Sequence, residues 1–164
     1  MRRVTTGLDH DGRSVVTSDG PPPVAFHAVP QAGFARIGAP WTGGEIATGE
    51  AVVHELWALD ERPTRLTADP TLAVGAPAYD PPAAATKWII TQMGPSLTAP
   101  MHATPTVDYA VVVAGEVELI LEADRVVLGA GDTVLVNGVR HAWVAGPEGC
   151  VIATVLVGLQ AGDR

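Results

Sequence analysis

Residues 108–157 read DYAVVVAGEVELILEADRVVLGAGDTVLVNGVRHAWVAGPEGCVIATVLV. Short apolar runs alternate here with turn chemistry. Segments 108–113, 117–121, 125–128, 133–136, 141–145 and 151–157 are rich in Val, Leu and Ile. Gly115-Glu116, residues 122–124, residues 129–132, Asn137-Gly138 and residues 146–149 separate them. Six strands in about fifty residues, each bounded by turn residues, predict an antiparallel sandwich or barrel. Glu116-Val117-Glu118-Leu119 alternates polar and apolar, so one face of that strand is wet and the other is core. Glu116, Glu118 and Glu122 then belong to the solvated face.

Upstream, Thr86–Met93 is β-branched and aromatic and predicts a further strand. Ala51–Leu59 (AVVHELWAL) also reads as a strand by its Val content, with His54, Glu55 and Trp57 inside it. His54 and Glu55 read as an exposed polar face or a marginal rim position. Between these two runs, residues 60–85 carry Pro63, Pro70, Pro77, Pro81 and Pro82, which predicts a long loop. Residues 30–50 show no period, and Val24–Val29 is a short extended segment. Arg3–Thr6 and Ser14–Thr17 flank a hairpin signal at Asp11-Gly12. The organisation expected is one all-β unit, with a barrel core over 86–164. Residues 1–85 add N-terminal strands, an arm and a loop packed on it.

Composition agrees. Gly 18 and Pro 14 in 164 residues suit turns over long helices. A hydrophobic share of 47% supports a packed core. The net charge is −8, Lys87 is the only lysine, and no basic cluster is visible, which excludes nucleic acid as a partner. No apolar run is long enough to cross a membrane, and the N-terminus has no apolar stretch of a signal peptide. Cys150 stands alone before an apolar run and reads as a buried thiol. These features predict a cytoplasmic protein. Of five histidines, His10 and His27 read as loop residues without a role.

Two stretches carry chemistry. Pro100-Met101-His102-Ala103-Thr104-Pro105-Thr106-Val107-Asp108 leads to Gly115, and Gly131-Asp132 leads to His141-Ala142-Trp143. Their spacing resembles the two motifs of the cupin superfamily of small jelly-roll β-barrels. The first motif carries two histidines two apart, an acid four beyond the second, and a glycine seven beyond that. The second opens on Gly-Asp and ends in a histidine ten residues after the glycine. Gly115, Asp108 and His102 match the first, and Gly131, Asp132 and His141 match the second. The resemblance covers roughly residues 86–158. Thr104 stands where the second histidine would be, and Asp108 where glutamate is usual.

The resemblance implies a single jelly-roll barrel with an N-terminal strand extension and a divalent metal held by His102, Asp108 and His141. Two histidines and one carboxylate are a facial-triad set, suited to Fe, with Mn, Ni or Zn as other occupants. Thr104, two residues from His102, faces the same side of a strand and offers a hydroxyl to a water or substrate oxygen. The alternative is a barrel in which both histidines hydrogen-bond to Asp108 without metal. Trp143 shares the strand face of His141. Met101, Ala110, Val112 and Leu119 are further candidate lining, Arg140 is a candidate anion contact at the mouth, and Tyr109 has outward parity. The function expected is a metal-dependent lyase or isomerase acting by dehydration or decarboxylation on a largely apolar small molecule. An Fe(II)-dependent dioxygenase and a non-catalytic small-molecule binder are the alternatives. N-terminal strands of this kind commonly add to a neighbour's sheet, so a homodimer is expected.

Overall fold

The computed structural model describes residues 3–8, 10, 13–31, 34–59 and 80–160. Among them the regular elements are eleven strands, with no helix. These are β1 (Arg3–Leu8), β2 (Ser14–Gly20), β3 (Val24–Gln31), β4 (Phe34–Pro40), β5 (Ala51–Leu59) and β6 (Thr86–Met93). The rest are β7 (Thr98–His102), β8 (Thr106–Leu121), β9 (Arg125–Gly129), β10 (Thr133–Asn137) and β11 (His141–Gly158). All paired strands run antiparallel, in the order β10-β8-β11-β6-β5-β3-β4, with β7 on β11 and β9 on β8; β1 and β2 form a separate hairpin. The architecture is a jelly roll. β3, β4 and β5 join the same sheet as the strands after residue 86.

Two strands are longer than the turn signals suggested. Segments 108–113 and 117–121 are one strand, β8, and segments 141–145 and 151–157 are one strand, β11. Each bends instead of breaking, and so serves two walls. Residues 106–115 of β8 pair with residues 150–158 of β11, which also pair with β6. Residues 117–121 of β8 pair with residues 141–145 of β11, beside β7 and β9. At the bend, Gly115 pairs with Cys150 and has φ 74°, and Gly149 has φ 76°. Only glycine adopts such angles readily, so these turn residues bend the ladder without ending it.

The walls enclose a core that includes Leu97, Val112, Val117, Ile152 and Leu156. Cys150 is buried in it, and burial pushes its thiol up to about 11. Two strands lie where no pattern predicted them: β4 in the Gly-Ala-Pro segment, and β7, which runs through Pro100. His27 lies within β3 and not in a loop. Asp11, Gly12 and residues 60–79 of the expected long loop lie outside the described residues.

Candidate functional site

β7 ends and β11 begins on a histidine, and the register places His102 opposite His141. Their ring centroids are 4.4 Å apart. The Nδ1 of each ring lies against the carbonyl two residues earlier, Pro100 O at 2.8 Å and Val139 O at 2.9 Å. A carbonyl can only accept, so both rings carry their proton on Nδ1 when neutral, and Nε2 presents a lone pair. His141 is buried, and that desolvation holds its imidazole below the ordinary histidine range; the bond to Val139 opposes the shift and the charge of His102 adds to it. Trp143, two residues on, meets His141 edge-on at 5.7 Å.

Strand alternation gives β8 its polar contribution. Thr106 and Asp108 share one face of β8, and Thr104 precedes them at the same parity. The Thr106 hydroxyl donates to Asp108 Oδ1, so its only proton is spent there, and Thr104 Oγ1 donates to Thr106 Oγ1 at 2.8 Å. Burial raises the Asp108 carboxyl above the ordinary aspartate range; the Thr106 bond partly offsets this, and the negative charge of Asp80 adds to it. Thr106 is fully buried. Its parity with Asp108 was the sequence signal for it.

These groups open onto one cavity of about 80 Å³ between the two walls of the barrel. His102, Thr104, Asp108 and His141 make its polar end, and Ile89, Leu97, Ala110, Trp143, Ile152 and Leu156 are among its apolar walls. Met101 and Val112 stand outside this lining; Val112 belongs to the buried core, as does Leu119. Arg140 also lies outside, on the surface, with its Nε 3.7 Å from Glu122 Oε1. Tyr109 is exposed on the other face of β8.

His54 and Glu55 are buried, not an exposed polar face. β5 is covered on both sides, so its polar residues need partners inside. His54 Nε2 lies 2.8 Å from Gln92 Oε1, and Trp41 packs edge-on against the ring. Glu55 pairs with Lys87 Nζ at 2.7 Å, both nearly inaccessible. Sequence reasoning misses this buried ion pair, because each charge read alone belongs on a surface. Asp80, just before β6, is half-buried; desolvation raises its carboxyl, while the charges of Lys87 and His102 lower it.

These positions fit a metal only in part. His102 and His141 suit two nitrogen donors, their Nδ1 groups fixed as in metal-bound imidazoles. Among the described residues no three His, Cys, Asp or Glu side chains come together as a ligand group. The facial triad is therefore not assembled here, and Asp108 is engaged by Thr106. In each ring Nδ1 goes to the backbone and Asp108 is bonded by Thr106, so Nε2 is the only ring atom left to meet that carboxyl. Among the described residues no helix is long and apolar enough to cross a membrane.

No family model matches the chain. A cupin-domain-containing oxidoreductase, srdD, from Neurospora crassa is 35% identical over 52 residues, which is 31% of this chain and 26% of that protein. Among solved structures, a conserved protein of unknown function from Streptococcus pyogenes is 14% identical, covers 71% of this chain and 82% of its own, and has a TM-score of 0.48. KdgF from Halomonas sp. is 14% identical over 71% and 87%, with a TM-score of 0.47. A cupin-2 domain protein from Shewanella frigidimarina is 20% identical over 49% and 72%, at 0.39. Both motif histidines meet inside a bent antiparallel barrel, and over 52 residues the chain is similar to a cupin-domain protein of which it spans about a quarter.

Proposed function

We propose that the chain is a lyase or isomerase acting by proton transfer on a small, largely apolar molecule held in the barrel. The observation that carries this is the pairing of a neutral base and a buried carboxyl on one apolar cavity. His141 offers Nε2 as a base, and burial favours its neutral form. Asp108 is a weaker acid than an exposed aspartate and so a better proton donor near neutrality. For dehydration, His141 Nε2 removes the proton from a carbon beside a carbonyl or carboxylate. The C–H electron pair becomes a double bond, and the C–O bond to a hydroxyl one carbon further on breaks. Asp108 gives its proton to that oxygen, water leaves, and solvent returns the proton from His141 to Asp108. The apolar walls exclude bulk water and strengthen both hydrogen bonds. A cavity of about 80 Å³ is about half of one that holds benzene, so the group bound inside is small.

A metal-dependent enzyme is the second reading, favoured by the two Nδ1-anchored imidazoles. A divalent ion such as Fe, Mn, Ni or Zn would be held by Nε2 of His102 and His141 and would supply Lewis-acid polarisation. A reducing compartment such as the cytoplasm suits both readings, since Cys150 is buried and unpaired among the described residues.

The test is proton NMR in D2O with short 3-hydroxy acids, 3-keto acids and enones, under air and without oxygen. Exchange at the carbon beside the carbonyl, or an alkene product, is expected in both atmospheres and is lost in His141→Ala and Asp108→Asn. Turnover only with oxygen and Fe(II) would replace this reading with an oxygenase. Binding without exchange or product would leave a small-molecule binder. Elemental analysis separates the two enzymatic readings: a near-stoichiometric metal that His102→Ala removes supports the metal enzyme.

A further inference from the structure

Removing a proton beside a carbonyl moves the C–H electron pair into a C=C bond and the carbonyl π pair onto oxygen. That oxygen needs a hydrogen-bond donor inside the cavity. The protons at the polar end are committed: Thr104 donates to Thr106, Thr106 to Asp108, and each imidazole Nδ1 to a backbone carbonyl. Two further hydroxyls line the cavity, those of Thr91 and Thr154. Thr154 lies in β11 between Ile89 of β6 and Ala110 of β8. It shares the inward parity of Ile152 and Leu156, both buried in the core. β6 and β8 flank it and it is only partly buried, so its open side faces the cavity. Along β11 it stands two residues, about 7 Å, from Leu156, the residue paired with Asp108. Thr91 is a level further away, opposite Ile152.

We infer that the Thr154 hydroxyl donates to the carbonyl oxygen of the substrate and holds the enolate that forms there, and that the substrate is a neutral carbonyl compound: a ketone, aldehyde or ester. This rests on the proton-transfer reading of the cavity and adds the group that activates the C–H bond. The electrons balance. As the carbonyl re-forms, the C=C pair shifts to expel the hydroxyl one carbon further on, which leaves as water with the proton of Asp108. Thr154 keeps its own proton throughout. Charge selects the neutral class. Among the described residues no Lys or Arg lines the cavity. Lys87, on β6 at the level of Asp108, is paired with Glu55. One hydroxyl satisfies a carbonyl oxygen, whereas an ionised carboxylate at Thr154 would enter an apolar wall with its charge unpaired.

Acetone, and isobutene as the same shape without the oxygen, test the contact by chemical-shift titration of the full chain. The ratio of acetone to isobutene affinity is expected to fall about tenfold in Thr154→Val and to return in Thr154→Ser. Exchange of acetone hydrogens for deuterium is expected to slow about a hundredfold in Thr154→Val. Acetate, the charged analogue, is expected not to displace acetone, and displacement would overturn the neutral class. A ratio that Thr154→Val leaves unchanged overturns the inference, and a fall in Trp143→Phe would then assign the donor to the indole N–H. Exchange that runs equally in the parent and Thr154→Val keeps the proton-transfer reading and overturns the enolate contact. A ratio that falls with no exchange in the parent keeps the carbonyl contact and overturns the proton-transfer reading.

Discussion

At the residue scale, the buried Glu55–Lys87 pair and the Asp108 carboxyl make opposite predictions. Lys87 is 5% exposed and its carboxylate partner lies 2.7 Å away. Glu55→Ala removes the carboxylate in direct contact with this buried ammonium and is expected to cost about 3–5 kcal/mol in denaturant unfolding. Glu55→Met with Lys87→Met removes both charges and is expected to recover most of that loss. Asp108 behaves differently because burial raises its carboxyl. A raised carboxyl favours the fold fully below its ordinary value, and the advantage is lost as pH rises through the shifted value. At neutral pH its ionised form is a burden. Asp108→Asn keeps an oxygen for the Thr106 hydroxyl, so its melting temperature should exceed the parent's by a few degrees near pH 7.5, with the gain shrinking toward about pH 4. The same variant loses the proposed activity, the pattern of a residue retained for function against stability. His141 has the opposite sign. Its imidazole is held low, so its stabilisation is present above the ordinary histidine value and falls away as pH drops below about 6.5. His141→Gln should flatten that acid limb in a pH series of melting curves.

At the element scale, the site depends on β8 and β11 continuing through their bends. A Cβ on Gly115 would stand 2.2 Å from the Gly149 carbonyl oxygen, and one on Gly149 would stand 2.5 Å from Met93 O. Both glycines have positive φ, so substitution adds backbone strain to the clash. Gly115→Ala is expected to cost at least about 2 kcal/mol in chemical denaturation, the scale of a strained and crowded position. Gly131, also at positive φ, has open space where a Cβ would stand, with no heavy atom within 4 Å, so Gly131→Ala carries the strain alone and should cost less. The two turns look alike in sequence. They differ because Gly115 lies where two long strands cross from one wall to the other.

At the scale of the whole molecule, the inner and outer faces of one wall meet different surroundings. Asp108 and Ala110 line the cavity, and Tyr109 between them is exposed on the outer face. The homodimer that the resemblance implies is expected to make the melting temperature rise with protein concentration by mass action. Scanning calorimetry over a hundredfold concentration range reads this directly.

The all-β class, the spacing that brings His102 to His141, and the outward parity of Tyr109 were legible in the chain. Alternation and turn chemistry are local, and strand parity follows from backbone geometry alone. The merging of four predicted strands into two was not legible. A glycine turn and a glycine bend share one local signature, and only pairing across the ladder separates them. His54 and Glu55 looked like surface residues because their partners, Gln92 and Lys87, lie over thirty residues along the chain. The site shows the same division. Sequence placed two histidines, a threonine and an aspartate on strands facing one cavity. Tertiary structure decided that the imidazoles bond to backbone and the aspartate to Thr106, because hydrogen-bond partners are chosen by three-dimensional proximity.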